Sequence, residues 1–157
     1  MLRMTPKIVL PDGDPHMAAV LSRPEFAARL ARLGGAAVHA DVPAGDDELV
    51  RRIGDAQVVI LGQYLTGPVL RRLPALRLVA FTGTGAASFV DLPVAVERGI
   101  AVANVTLSPH QGYNTAESLD RMLDAVVGNI ENYLAGKPAS IVAGPRSLAE
   151  ADGAHQA

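Results

Sequence analysis

Residues 76–105 read LRLVAFTGTGAASFVDLPVAVERGIAVANV, two apolar runs separated by a glycine-rich loop and a short amphipathic stretch. LRLVAFTG (76–83) and IAVANV (100–105) are apolar enough to be strands buried on both faces, and LPVAVERG (92–99) between them has helical character. Two such strands joined by a helix make a parallel βαβ unit, because parallel neighbours need a crossover.

The same alternation continues on both sides. Toward the N-terminus, KIVLP (7–11), AAVHAD (36–41) and QVVILG (57–62) read as three further strands. Between them, PEFAARLARLG (24–34) sets Phe26, Ala27, Leu30 and Leu33 at helical spacing and ends on Gly34-Gly35, where a left-handed residue costs little. GDDELVRRIGDA (45–56) has acidic residues in its first turn and basic ones in its last, which complements the helix dipole. TGPVLRRLP (66–74) predicts a short helix begun at Thr66 or Gly67. Toward the C-terminus, NTAESLDRMLDAVVGNIENYLAGKP (114–138) predicts a long helix with Leu119, Met122, Leu123, Val126, Val127, Ile130 and Leu134 on one face, stopped by Gly136 and Pro138; Asn114 and Glu117 have capping-box spacing. The expected fold is therefore α/β: a flavodoxin-like, doubly wound sheet of five parallel strands, with helices on both faces and a long C-terminal helix closing it. Residues 1–142 form one domain on this reading, and 143–157, poor in core-forming residues, form a tail.

Composition narrows the functional classes. With 157 residues and 49% apolar side chains the chain can bury one core of ordinary size. Only 4% of residues are aromatic and none is Trp, so that core is built of aliphatic side chains. Fourteen basic against 16 acidic residues give a formal charge of −2 without clustering of either sign, which supplies no footprint for nucleic acid or an anionic membrane. The absence of cysteine excludes disulfides, thiolate nucleophiles and the common structural zinc sites. No apolar run is long enough to span a bilayer, and a soluble, cytoplasmic protein is expected.

Few residues are candidates for chemistry. His110 follows the last strand and precedes the long helix, so it lies on the carboxyl edge of the sheet, and imidazole is well suited to moving a proton near neutral pH. A loop histidine can equally be a solvated or hydrogen-bonding residue. Carboxylates that could pair with it are Glu117, Asp12, Asp14 and Asp91, each also suited to a cap, a turn or a helix start. His39 alternates within a strand, His16 sits in a Pro/Asp loop and His155 in the tail; the four histidines have no metal-ligand spacing. Gly83-x-Gly85 resembles a dinucleotide fingerprint only in part, since Ser88 takes the third glycine's place and no acidic residue follows about 20 positions on. The same turn, after a parallel strand, either brings backbone N–H groups toward an anion or serves only as a tight turn with positive φ. No G-x-S-x-G elbow surrounds Ser88 or Ser108.

Taken together, two stretches resemble a known family. Residues 76–105, with a strand, a G-x-G loop leading to an aspartate and the run A-x-x-R-G-I-x-V-x-N, resemble the substrate-domain segment of the D-isomer-specific 2-hydroxyacid dehydrogenases. LSPHQGYNTAESLDRMLDAVVGNIENYLAGKP (107–138) resembles that family's C-terminal segment, with its P-H-x-G-x-x-T motif and its closing L-x-G-K-P. In the family a nucleotide-binding domain lies between the two segments and carries the NAD fingerprint, a substrate-binding arginine and the glutamate that pairs with the histidine. Here Val105 leads into Leu107-Ser108-Pro109-His110, so the two segments meet near 105–109.

The resemblance implies that His110 is the acid/base histidine and that the backbone amides of Thr84, Gly85 and Ala86 face a substrate carboxylate. It transfers neither the arginine nor the glutamate. Hydride transfer needs nicotinamide held against the substrate carbon, so no cofactor is expected unless a partner supplies the nucleotide domain. Three functions are compatible with this reading. The first is a stand-alone substrate domain that binds a small 2-oxo or 2-hydroxy carboxylate. The second is a cofactor-independent isomerase, cyclase, dehydratase or lyase that uses His110 as general acid/base. The third is an assembly protein whose face, left open by the missing domain, pairs with another protein or a second copy.

Overall fold

A computed structural model describes residues 5–105, 116–137 and 140–145. Its elements, in chain order, are β1 (Ile8–Leu10), α1 (Pro15–Leu21), α2 (Pro24–Arg32), β2 (Ala36–Val38), α3 (Asp46–Ile53), β3 (Val58–Leu61), α4 (Gly67–Leu70), β4 (Leu78–Phe81), a 3-10 turn (Ala86–Ser88), α5 (Leu92–Glu97), β5 (Ala101–Ala103), α6 (Ala116–Leu134) and β6 (Ile141–Ala143). The sheet order is β2-β1-β3-β4-β5-β6, with β1 to β5 all parallel, which is the flavodoxin-like doubly wound arrangement.

The sheet has six strands, one more than the sequence pattern predicts. β6 runs antiparallel to β5, pairing Val102 with Ala143 and Ala103 with Ile141. It therefore crosses the expected boundary at residue 142. Gly144 beyond it lies so close to Ile100 that an added Cβ would overlap the Ile100 carbonyl. A second difference concerns residues 15–21, expected as loop around His16. Asp14 caps this segment by accepting the Met17 N–H (2.8 Å), and Pro15 stands at its first position, so α1 forms there.

Because strand side chains alternate between faces, each buried strand feeds two cores. Ile8, Leu10, Val58, Ile60, Leu78, Ala80, Ala101 and Ala103 pack on one face with α1, α2 and α6. Val9, Val59, Leu61, Val79, Phe81 and Val102 pack on the other with α3, α4 and α5. α6 buries Met122, Leu123, Val126, Val127 and Ile130 as its periodicity predicts, and adds Tyr133, whose hydroxyl donates to the Arg77 carbonyl (3.3 Å). Arg29 of α2 ties this helix down by reaching Asp124 (2.6 Å) and Glu131 (2.5 Å), and Arg23 reaches Asp120 (3.0 Å).

Candidate functional site

The parallel strands deliver their following loops to one edge, and the loop after β4 is the one the sequence singles out. Thr82 is buried, and both its N–H (3.1 Å) and its hydroxyl (2.9 Å) donate to the Leu61 carbonyl, so the loop leaves β4 from a fixed point. The Gly83 carbonyl accepts the Val105 N–H (3.0 Å), which holds the exit of β5 beside it. The chain then turns at Gly85 with φ 72° and ψ 46° and enters the 3-10 turn through buried Ala86. Nothing lies within 4 Å of a Cβ placed on Gly85, so it is the left-handed backbone that calls for glycine here, not the space. Thr84 and Gly85 are exposed. The N–H groups of Gly85, Ala86 and Ala87 donate to no acceptor among the described residues. Consecutive free amides of this kind are what an anion needs.

Two strands away, Asp12 lies in the loop just beyond β1. It is 2% exposed, and its carboxylate accepts the N–H groups of Gly62 (2.9 Å) and Gln63 (2.8 Å) at the end of β3. Burial pushes this carboxyl above the ordinary aspartate range, against the opposing pull of those two N–H bonds and of the Arg52 charge. The fit at Gly62 is tight, since a Cβ would stand 3.0 Å from the Asp12 carbonyl oxygen. Beyond Gln63, Tyr64 stacks on Phe89 with ring centroids 5.0 Å apart, and Phe89 in turn meets Phe81 at 4.7 Å. The Leu65 N–H donates to the Phe89 carbonyl (2.8 Å) and the Asp91 N–H to the Leu65 carbonyl (3.2 Å), so the β3 and β4 loops are stitched together.

Thr84, Gly85 and Ala86 thus sit together on one turn at the carboxyl edge. His110 and Ser108 lie outside the described residues, as does Asn114 of the expected capping box. Of the carboxylates considered for His110, Asp14 and Asp91 are N-caps of α1 and α5, and Asp12 is engaged with Gly62 and Gln63. Glu117 is exposed in the first turn of α6. His16 is in α1, and His39 directly follows β2, where its N–H donates to the Leu10 carbonyl (2.9 Å) and its carbonyl accepts the Gly13 N–H (3.2 Å). Among the described residues no three His, Asp or Glu side chains come close enough to hold a metal ion, and no helix is long and apolar enough to cross a membrane. Sequence reasoning missed the Asp12 tie and the Tyr64–Phe89 pair. An aspartate just beyond an apolar strand was the available signal for the first, because a polar group that is buried there must find a partner.

The geometry defines a doubly wound α/β domain with a candidate anion-binding turn at the carboxyl edge of β4. Residues 18–143 match the model of the D-isomer specific 2-hydroxyacid dehydrogenase catalytic domain, and the chain belongs to that family. It is 34% identical over 91 residues to a Haemophilus influenzae protein named provisionally as a 2-hydroxyacid dehydrogenase, a match covering 57% of this chain and 27% of that protein. It is 41% identical over 56 residues to the hydroxyphenylpyruvate reductase of Plectranthus scutellarioides, covering 36% of this chain and 18% of that one. Among solved structures, a Ralstonia solanacearum protein described provisionally as a D-3-phosphoglycerate dehydrogenase superposes with a TM-score of 0.56 at 25% identity, over 67% of this chain and 31% of its own. The matched segments therefore span less than a third of each of these proteins.

Proposed function

We propose that this chain is a stand-alone substrate-domain homologue of the 2-hydroxyacid dehydrogenases, acting in the cytoplasm, that binds a small 2-oxo or 2-hydroxy carboxylate and does not transfer hydride by itself. The observation that carries this reading is the run of N–H groups on Gly85, Ala86 and Ala87 that meet no acceptor among the described residues, on the turn where the family motif expects the carboxylate. A carboxylate needs only two or three such donors, and charge-assisted hydrogen bonds are the stronger kind. His110 is the group proposed to exchange a proton with the ligand's oxygen. Support comes from Val105, bonded to Gly83, since a five-residue span from there reaches at most about 18 Å.

The arginine and glutamate of the family lie in the part that the two matched segments lack, so the ligand is held here by amides and without a guanidinium fork. Weaker binding than a charge-assisted fork would give follows. Titrating glyoxylate into the uniformly 15N-labelled protein should give saturable shifts of the amide resonances of residues 84–87. A His110→Ala variant should keep those shifts and lose the pH dependence that imidazole contributes. Shifts that are absent, or that cluster away from this turn, would refute the assignment.

A further inference from the structure

We propose that Asp12 is a positioning residue for the carboxylate-binding turn, acting through Gly62 and Gln63 on the β3 loop and through that loop on Phe89 and the 3-10 turn. The inference rests on the proposed function for its ligand, but its mechanical part stands on contacts alone. Asp12 is buried, and its two oxygens hold two consecutive amides, so Gly62 and Gln63 cannot shift without breaking a buried pair. Tyr64, the next residue, stacks on Phe89, and Leu65 is bonded to both Phe89 and Asp91. Phe89 closes the turn by donating its N–H to the Ala86 carbonyl (2.9 Å), and Val90 donates to the same oxygen (2.8 Å). Every link from Asp12 to Ala86 is thus a hydrogen bond, a ring contact or a peptide bond. Such a chain can carry coupling between two loops.

The physical role differs from a simple core tie because the anchor is ionisable. A carboxylate accepts both N–H groups, whereas the protonated acid offers a donor where one of them points. The charged groups around it are Arg52 from α3, with its partners Asp41 and Glu48, and in its own loop Asp14; His39 abuts the same loop through the Gly13 bond. Arg52 also donates to the Pro11 carbonyl (2.8 Å), so it braces the backbone next to Asp12. Loss of the Asp12 charge should therefore loosen the Gly62–Leu65 segment and, with it, the turn at Ala86.

The test follows amide resonances of the ligand-free protein from about pH 7 down to about pH 4, the side of the scale on which carboxyl groups take up protons. Gly62, Gln63, Phe89 and Val90 should move with one common midpoint. In Asp12→Asn that movement should vanish at all four positions, which subtracts whatever Asp14, His39 and the Arg52 cluster contribute. The variant should also bind glyoxylate roughly threefold to tenfold more weakly. Wild-type affinity should fall as pH falls through the same midpoint, and the variant's should not. If Gly62 and Gln63 titrate while Phe89 and Val90 stay still, the relay is wrong, and the wild-type titration decides this even where the variant does not fold. If the wild type takes up no glyoxylate, the proposed function fails, and the relay is judged on the ligand-free titration.

Discussion

Gly85 and Asp12 show how much a single position carries at this edge. An alanine at 85 meets no neighbour, so its whole cost is the left-handed backbone, about 1–2 kcal/mol. Asparagine, whose short polar side chain tolerates that region, should cost less. Urea denaturation of Gly85→Ala and Gly85→Asn should therefore rank wild type above Asn above Ala; equal losses would mean that the turn does not hold this backbone in solution. Asp12 predicts a pH dependence of stability. Its pKa is raised in the folded state, so the native form binds more protons than the unfolded one between the ordinary and the raised value. The contribution of Asp12 is complete below the ordinary carboxylate range and is lost as pH rises through the raised value. The stability difference between wild type and Asp12→Asn, measured by urea unfolding at steps across that window, should shift against the wild type as pH rises. A difference that grows in its favour would mean that the hydrogen bonds from Gly62 and Gln63 outweigh burial.

At the scale of elements, the sequence made the long pieces legible and the short ones not. α6 repeats its apolar spacing over five turns, so its buried face could be read directly, and the four wholly buried strands β1, β3, β4 and β5 announced themselves as unbroken apolar stretches. α1 has only seven residues, Pro15 and Asp14 look like loop, and the cap that makes them a helix start is visible only once Asp14 meets the Met17 N–H. β6 is three residues on the sheet's edge, too short for periodicity, and Gly144 just after it packs tightly against Ile100. The turn at 84–86 was legible as a motif; the bond between Asp12 and Gly62 was not, since it joins residues 50 positions apart. Ile130→Ala in α6 should cost about 2–5 kcal/mol, because the side chain is fully buried in the core shared with β1, β3 and β4. Arg29→Ala, which cuts a partly exposed tie between α2 and α6, should cost no more than about 1 kcal/mol, and less in high salt. A small loss for Ile130→Ala, read by chemical denaturation, would show that α6 is docked and not integral.

For the molecule as a whole, the residues that match the family model, 18–143, contribute most of one sheet and its helices. Strands β1 to β5 precede α6 in the chain, and α6 packs on the same face as α1 and α2. A core completed in this way leaves the carboxyl edge to whatever the loops alone can hold. Among the described residues those loops offer amides for a small anion and no dinucleotide fingerprint. The G-x-G run has Ser88 where a third glycine would let a pyrophosphate approach, and the positions about 20 residues on are Ala103, Asn104 and Val105, none of which can accept a ribose hydroxyl through a carboxylate. The 3-10 turn that follows is three residues long and presents no helix dipole of consequence. On the proposed reading, then, NADH and NADPH should bind only when a partner brings a nucleotide domain. Fluorescence titration of the purified chain with each cofactor should give no saturable change, with or without glyoxylate present. Saturable micromolar binding by the chain alone would overturn the reading, because the cofactor would then have a site within these 157 residues and hydride transfer would again be open to it.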